Sequence, residues 1–138
     1  MMVNCIFCEI VNRTSVAEIV YEDSLSLAFL DKNPHTRGHL QLIPKHHYRW
    51  IYEVPEMGQL FTTAGKIIRG IIPVLKADHV SIATFGHAVK HAHIWIVPQY
   101  SRNEIIDEWG SQRGNTNEQQ KIANLIRLAI REEVSHAT

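Results

Sequence analysis

The run from His91 to Val97, HAHIWIV, constrains the fold of this chain more than any other feature. It is rich in aromatic and β-branched residues and ends at a proline, which favours a strand over a helix. Side chains alternate across a strand, so His91, His93 and Trp95 lie on one face, each roughly 7 Å from the next. The sequence therefore predicts two imidazoles and an indole on a single surface of a sheet.

Other segments have the patterns of strands and helices. Strands are predicted over residues 19–22, 24–30, 39–43, 80–85 and 91–97. A long helix is predicted to begin at Pro55 and to continue to about residue 72, because apolar residues recur there at three- and four-residue steps. Gly70 and Pro73 are expected to loosen its last turns. A final helix is predicted to open at Thr116, which forms a capping-box pattern with Gln119.

Short polar connections at Glu22-Asp23 and at residues 86–90 indicate antiparallel hairpins. The predicted fold is α+β: an antiparallel sheet of about five strands, with one long helix packed on it and a C-terminal helix. Residues 1–110 are expected to form the main domain. Residues 99–115 are expected to be irregular. Residues 111–138 supply a loop and a helix, either as part of the same domain or as an extension toward a dimer partner or substrate.

Length and charge limit the class of partner. The chain of 138 residues fits one domain with a single core. Its 14 Lys and Arg residues balance its 14 Asp and Glu residues, so no net field attracts a nucleic-acid backbone or a membrane surface. The absence of a signal-peptide pattern, and of a run of roughly 20 apolar residues, favours a soluble cytoplasmic protein. In that compartment the pair Cys5-x-x-Cys8 favours metal or redox chemistry over a structural disulfide.

His93 is a candidate for nucleophilic chemistry. A neutral imidazole carries protons near neutral pH and can form covalent intermediates. If one ring nitrogen donates to a carbonyl, the other presents a lone pair that can attack an activated phosphorus, and water later cleaves the phosphoramidate. The alternative is that these histidines are satisfied polar residues of a half-buried strand. Two histidines on one strand face, with His39 on a separate strand, count against it.

Three blocks of the sequence resemble the histidine triad (HIT) superfamily. Residues 86–98 are similar to its signature, in which histidines alternate with apolar residues before a proline. Residues 28–31 and 38–45 are similar to a second block, and residues 5–10 to the start of bacterial members. The resemblance implies a nucleotide-binding hydrolase or transferase. Its site of action would be the α-phosphate of a nucleoside phosphoramidate or a dinucleoside polyphosphate.

The resemblance also implies roles for individual residues. His93 falls on the nucleophile, which forms a nucleotidyl-histidine intermediate, and His39 falls on a further histidine that contributes to the phosphate site. Asp31 falls on an acidic residue that hydrogen-bonds the ribose. The residues that the resemblance places at the nucleotide are Ile6, Phe7, Phe29, Asp31, Gly86, His87 and Trp95. Without the resemblance, Asp31 would be a turn residue and the apolar side chains would be ordinary core.

A structural zinc site is a second expectation. Cys5 and Cys8 could supply two thiolates of a tetrahedral Cys₂His₂ site. The resemblance places the other two ligands at His47 and His91, with His46 as the neighbouring candidate. Such a site would tie the N-terminus onto the sheet. A redox pair lacks the βαβ context that it needs, and a pair of free thiols remains the other alternative.

Trp95 is the main departure from the family pattern. It occupies the position of a third histidine, and an indole donates a hydrogen bond but carries no proton near pH 7. Lost acid or base assistance can cost a factor of roughly 10²–10⁴ in rate. The alternative function is therefore a zinc-stabilised nucleotide-binding or interaction protein without efficient chemistry. The balanced charge disfavours a third function, that of a nucleic-acid end-processing enzyme. The resemblance to the HIT superfamily also implies that the protein is a homodimer.

Overall fold

The computed structural model describes residues 4–101 and 116–136, which form one antiparallel sheet flanked by helices. In chain order the elements are α1 (Ile6–Val11), β1 (Ile19–Glu22), β2 (Ser26–Leu30), β3 (Leu40–Pro44), a 3₁₀ turn (Ile51–Glu53), α2 (Met57–Leu75), β4 (His79–Ala83), β5 (Ile94–Gln99) and α3 (Thr116–His136). The strand order is β1-β2-β3-β5-β4, and every neighbouring pair is antiparallel. The predicted α+β class with five strands is confirmed.

One face of the sheet carries the main hydrophobic core. Leu40 and Leu42 alternate with Gln41 along β3, and both leucines are fully buried on this face. α2 and α3 cover it with apolar side chains that include Leu60 and Ile126. Burying one such side chain contributes about 1.5–3 kcal/mol, so apolar burial holds the two helices on the sheet.

The opposite face of the sheet mixes apolar and polar residues. β3 places Gln41 and Ile43 here, His39 lies just before the strand, and each of the three has 5% of its surface exposed or less. Their common face is the one that alternation predicts. α1 packs over part of this face through Phe7 and Ile10. The rest of the face borders an open cavity, so buried polar groups are concentrated where a ligand could reach the sheet.

β5 begins three residues later than predicted, because the backbone groups before it bond to other segments. The hydroxyl of Thr84 donates to the carbonyl of His93 at 2.6 Å. The N–H of Ala92 donates to the carbonyl of Tyr48, also at 2.6 Å. The connection from β4 therefore spans residues 84–93 and is not the predicted tight turn.

The prolines limit these elements less than expected. Pro44 and Pro98 lie inside the last two residues of their strands, where a missing N–H removes little of the ladder. α2 begins two residues after Pro55. It also continues past Pro73, which lies on the exposed side of the helix, and ends at Leu75, after which Lys76 has a φ of 58°. The predicted loosening at Pro73 is not seen, because Pro73 lies in the last turn of the helix, where the missing N–H removes a single hydrogen bond.

α3 packs on α2 and on β1. It begins at Thr116, as predicted, and the guanidinium of Arg127 ties it to β1 by donating to the carbonyl of Ile19 at 2.7 Å. Within the predicted irregular segment 99–115, residues 102–115 lie outside the described residues. Among the helices of residues 4–101 and 116–136, none is long and apolar enough to cross a membrane.

Candidate functional site

Four side chains converge beside the start of β5 and form a cluster of metal-type ligands. They are Cys5, Cys8, His47 and His91, whose ligand atoms all lie within 4.8 Å of one another. Each sulfur lies 3.3 Å from one imidazole Nδ1 and 3.5 Å from the other, and the two Nδ1 atoms are 3.2 Å apart. Zinc bonds of about 2.3 Å to sulfur and about 2.0–2.1 Å to nitrogen, at tetrahedral angles, give S···N separations of about 3.5 Å. The four residues therefore fit a tetrahedral ion.

Hydrogen bonds around the cluster aim these ligand atoms. Nε2 of His91 donates to the carbonyl of Pro44 at 2.9 Å, so the lone pair of Nδ1 faces the sulfurs. Cys5 caps the N-terminus of α1, and its sulfur accepts from the N–H of Cys8 at 3.2 Å. Burial, followed by the neighbouring Cys5 sulfur, raises the pKa of Cys8 to about 12. Two thiolates here therefore need a cation between them.

The structure places only one of two adjacent histidines in the cluster. His47 points its Nδ1 at both sulfurs, whereas His46 is exposed and packs on the ring of Tyr48 with the centroids 4.8 Å apart. Burial lowers the pKa of His47 and lowers that of His91 to about 4. Both imidazoles are therefore neutral at pH 7, which is the form that binds a metal.

His93 follows His91 by two residues, and its ring uses the other nitrogen. Nδ1 of His93 donates to the carbonyl of His91 at 2.6 Å, so Nε2 keeps its lone pair. Burial lowers the pKa of His93, although the carbonyl bond and Asp31 act in the opposite direction. The ring of Phe7 packs edge-on at 5.6 Å between centroids. His93 is thus a neutral imidazole held in one tautomer, with the free nitrogen that nucleophilic chemistry needs.

A cavity of about 520 Å³ opens over the same sheet face and includes His93 in its wall. This volume is in the usual range for small-molecule sites. The wall combines apolar side chains with a few polar groups, as such sites commonly do. The sequence-predicted nucleotide residues in the wall are Ile6, Phe7, Phe29, Asp31, His87 and Trp95.

Two predicted site residues, Gly86 and His39, do not line this cavity. Gly86 is buried against Trp50, where an added Cβ would approach a ring carbon to 2.4 Å, so the loop needs glycine there. His39 is fully buried against Trp95, with the ring centroids 4.7 Å apart. Its Nδ1 accepts a backbone N–H at 3.1 Å, and its Nε2 lies 3.8 Å from Oδ2 of Asp31. Burial lowers the pKa of His39 to about 4, and the Asp31 carboxylate opposes this only in part.

Trp95 forms part of the cavity wall and packs against rings from two other segments. Its centroid lies 4.9 Å from that of Phe85, 4.8 Å from that of His35 and 4.7 Å from that of His39. An indole supplies an N–H donor but exchanges no proton near pH 7. Trp95 therefore contributes shape and contact area beside His93 and no acid or base.

Four hydrogen bonds hold Asp31 at the cavity. Oδ1 accepts from the N–H of Asn33, and Oδ2 accepts from Nε2 of Gln41, both at 2.8 Å. The N–H of Asp31 donates to the carbonyl of His39 at 2.9 Å, and its carbonyl accepts from the Gln119 side chain at 3.0 Å. Sequence patterns assigned no site role to Gln41 or Gln119. The alternation that places Gln41 on the same sheet face as His39 could have indicated a site role for Gln41. No local sequence pattern connects Asp31 to Gln119 on α3.

Comparison with known proteins supports an assignment to a family. The HIT domain model matches residues 12–102. The chain belongs to the HIT family. This HIT protein is 30% identical over 116 residues to an adenylylsulfatase of Arabidopsis thaliana, and the aligned residues cover 79% of this chain and 57% of that protein. It is 28% identical over 114 residues to an adenosine 5′-monophosphoramidase of Saccharomyces cerevisiae, and the aligned residues cover 78% of this chain and 71% of that protein.

Solved structures of HIT proteins have the same fold. A hypothetical histidine triad nucleotide-binding protein from Sulfolobus tokodaii has a TM-score of 0.84 at 28% identity, covering 93% of each chain. A zinc-bound histidine triad family protein from Mycobacterium smegmatis has a TM-score of 0.82 at 29% identity, covering 96% of this chain and 97% of that one. The HIT resemblance noted in the sequence is thus confirmed for both family and fold.

Proposed function

We propose that this HIT protein is a nucleotidyl hydrolase or transferase that forms a nucleotidyl-histidine intermediate on His93. The observation that carries the proposal is the 2.6 Å bond from Nδ1 of His93 to a carbonyl, which leaves Nε2 unprotonated at the wall of a cavity. An adenylylsulfatase and an adenosine 5′-monophosphoramidase among its relatives support substrates in which a nucleoside 5′-phosphate carries a leaving group. Dinucleoside polyphosphates belong to the same chemical class.

The reaction proceeds in two displacements at phosphorus. Nε2 of His93 attacks the α-phosphorus, a P–N bond forms, and the bond to the leaving group breaks with its electron pair going to that group, which takes a proton from solvent when it is an amine. Water, or another acceptor, then attacks phosphorus, and the P–N electron pair returns to Nε2. The attacking water loses one proton to solvent, and a nucleoside monophosphate is released. The carbonyl of His91 stabilises the positive charge that the imidazole carries between the two steps.

The cavity suits a nucleoside because its apolar and polar groups are separated. Phe7 and Phe29 pack edge-to-face at 5.3 Å and supply an apolar wall for the base. Asp31 supplies a carboxylate for the ribose hydroxyls. His39 supports the phosphate site indirectly, since it contacts Trp95 and lies close to Asp31 without lining the cavity.

Zinc is the metal that the ligand cluster fits best, because two thiolates and two neutral imidazoles at tetrahedral spacing match its preferences. Cys5, Cys8, His47 and His91 would hold it. Four protein ligands leave no open position, so the ion would supply stability and no activated water. The zinc-bound relative of Mycobacterium smegmatis supports this choice. The cluster would thereby anchor His91, whose carbonyl sets the tautomer of His93.

A second candidate function is nucleotide binding without efficient turnover. Trp95 favours it, because this side chain stands beside His93 in the wall and cannot protonate a leaving group. Both functions require a nucleotide in the cavity. They differ in whether a covalent bond to His93 forms at a useful rate.

The test is to incubate the protein with adenosine 5′-phosphoramidate, adenosine 5′-phosphosulfate and a diadenosine polyphosphate. We expect AMP release and, after rapid acid-free quenching, a mass increase of one adenylyl group on the peptide that contains His93. His93→Gln should abolish both, whereas His79→Gln, at an exposed histidine of β4, should change neither. AMP binding without turnover of any substrate would establish the second function instead.

A homodimer is a further part of the proposal. β4 is an edge strand of the sheet, and Ile82 on it is 47% exposed. Met57 and Phe61, one turn apart on α2, are 39% and 38% exposed. These apolar side chains offer a surface that a second copy could cover. Sedimentation velocity over a hundredfold concentration range should give a dimer, and a monomer throughout would exclude it.

A further inference from the structure

Gln41 is a buried polar residue that lines the cavity. It lies in the middle of β3, where its partners across the sheet are Phe29 on β2 and Trp95 on β5. Only 5% of the surface of Gln41 is exposed, although Gln41 forms part of the cavity wall. A buried amide costs stability unless it is well hydrogen-bonded. The hydrogen bonds of Gln41 therefore indicate what the residue contributes.

The contacts of Gln41 lead to Asp31. Its Nε2 donates to Oδ2 of Asp31 at 2.8 Å, and this orientation of the amide is required because an ionised carboxylate only accepts. Hydrogen bonds to a charged acceptor are about twice as strong as neutral ones. The Oε1 atom of Gln41 is buried and has no hydrogen-bond partner among the described residues. One end of the amide therefore orients the carboxylate, and the other is an unused acceptor.

We infer that Gln41 is a positioning residue that holds the Asp31 carboxylate against the ribose and so favours ribonucleotides over 2′-deoxyribonucleotides. This inference rests on the proposed nucleotide-binding function. The 2′-hydroxyl is the group that a correctly placed carboxylate recognises, because it can donate to an oxygen that a 2′-deoxy sugar leaves unpaired. Asn33 orients the other carboxylate oxygen from the backbone, so Gln41 is the only described side chain that bonds this carboxylate at hydrogen-bonding distance.

The test compares the dissociation constants of AMP and 2′-deoxy-AMP by titration calorimetry, which requires no turnover. We expect the wild-type protein to prefer AMP. Gln41→Leu, which keeps the volume and removes the donor, should lower this preference about tenfold, the factor expected when one charge-assisted hydrogen bond is lost. Gln59→Leu, at an exposed glutamine of α2, is the matched control and should leave the preference unchanged.

Gln41→Glu separates positioning from simple packing. The new carboxyl group donates to Oδ2 of Asp31 only when protonated, and two ionised carboxylates at this distance repel. The preference for AMP should therefore approach the wild-type value near pH 5 and fall as the pH rises to 8. A residue that only filled space would show no such recovery. Thermal unfolding of each variant verifies that the fold is retained.

Several results would overturn the inference. Equal weakening of both nucleotides in Gln41→Leu would mean that Gln41 only shapes the cavity. An unchanged preference in that variant, or equal binding of both nucleotides to the wild-type protein, would also reject it while leaving nucleotide binding intact. Failure of the wild-type protein to bind either nucleotide would instead reject the proposed function.

Discussion

His91 and His93 lie two residues apart, are both buried, and each bonds one ring nitrogen to a backbone carbonyl, yet their chemistry differs. His91 donates from Nε2 to Pro44 and directs Nδ1 into the ligand cluster. His93 donates from Nδ1 to His91 and keeps Nε2 free at the cavity wall. Nδ1 of His91 faces two sulfurs and a second imidazole, whereas Nε2 of His93 keeps its lone pair at the cavity. The choice of nitrogen that meets a carbonyl therefore directs the free nitrogen of one histidine into the ligand cluster and that of the other to the cavity.

The largest expected effect comes from removing each histidine in turn. His93→Gln should lower turnover on the order of 10³-fold or more, because the proposed nucleophile is lost, while the zinc content stays unchanged. His91→Gln should lower the zinc content and the unfolding temperature together, and turnover only as a consequence. Elemental analysis and activity assays on both variants check this. Loss of zinc from His93→Gln would contradict the separation of His93 from the metal-type ligand cluster.

Metal removal should affect stability first and turnover second. A metal present at about 1,000 times its dissociation constant stabilises the folded state by about 4 kcal/mol, so a strong chelator or Cys8→Ser should lower the free energy of unfolding by about that amount. Adding zinc back should restore stability and turnover after chelation but not in Cys8→Ser. Chemical denaturation with and without chelator measures the effect. Unchanged unfolding curves would show that the four residues hold no stabilising ion.

Acid should destabilise the cavity end of the sheet through His39. Burial lowers its folded pKa to about 4, below the value of about 6.5 for an exposed histidine, so the unfolded state binds a proton first. The stabilising contribution is present above about pH 6.5 and is lost as the pH falls through about 4, on the order of 3 kcal/mol. His39→Leu should flatten this part of the stability profile, measured by denaturation from pH 7 to 4. A profile as steep as that of the wild-type protein would show that other groups cause it.

The smallest expected effect concerns the link from α3 to the cavity. Gln119→Ala removes the bond to the carbonyl of Asp31, and a neutral hydrogen bond is worth about 0.5–1.5 kcal/mol. AMP should bind about threefold to tenfold more weakly, with zinc content unchanged. Gln120→Ala, at the exposed neighbouring position, is the control. Equal affinity in both variants would show that the cavity does not depend on α3.

Local patterns predicted the sheet well and the segments around it less well. Alternation along the predicted strand 39–43 grouped His39, Gln41 and Ile43, and all three are buried in the structure, where β3 begins one residue later at Leu40. No strand or helix was predicted over residues 6–11. The helix there, α1, is only six residues long, and the Cys5 sulfur caps it within the ligand cluster. Short helices of this kind depend on tertiary contacts more than on propensity.

In the candidate site, too, the sequence predicted some features and others depended on tertiary contacts. The resemblance placed the third metal ligand at His47 and left the adjacent His46 as an alternative, and the fold places Nδ1 of His47 at 3.3 Å from the Cys8 sulfur. The role of Gln119 was also hidden, since its side chain meets a carbonyl 88 residues away in sequence. Its capping-box pattern pointed only to the start of α3.

The sequence by itself determined the strand period, the apolar face of the long helix, the family and the inventory of histidines and cysteines, because each depends on residue type and spacing. The resemblance assigned different roles to the two histidines, but only the tertiary structure shows the contacts on which those roles depend. The alternation HAHIW treats His91 and His93 alike, and their difference arises from the carbonyl that each ring meets, of Pro44 for one and of His91 for the other. Those carbonyls belong to the folded backbone, so only the complete fold shows which ring nitrogen of each histidine stays free.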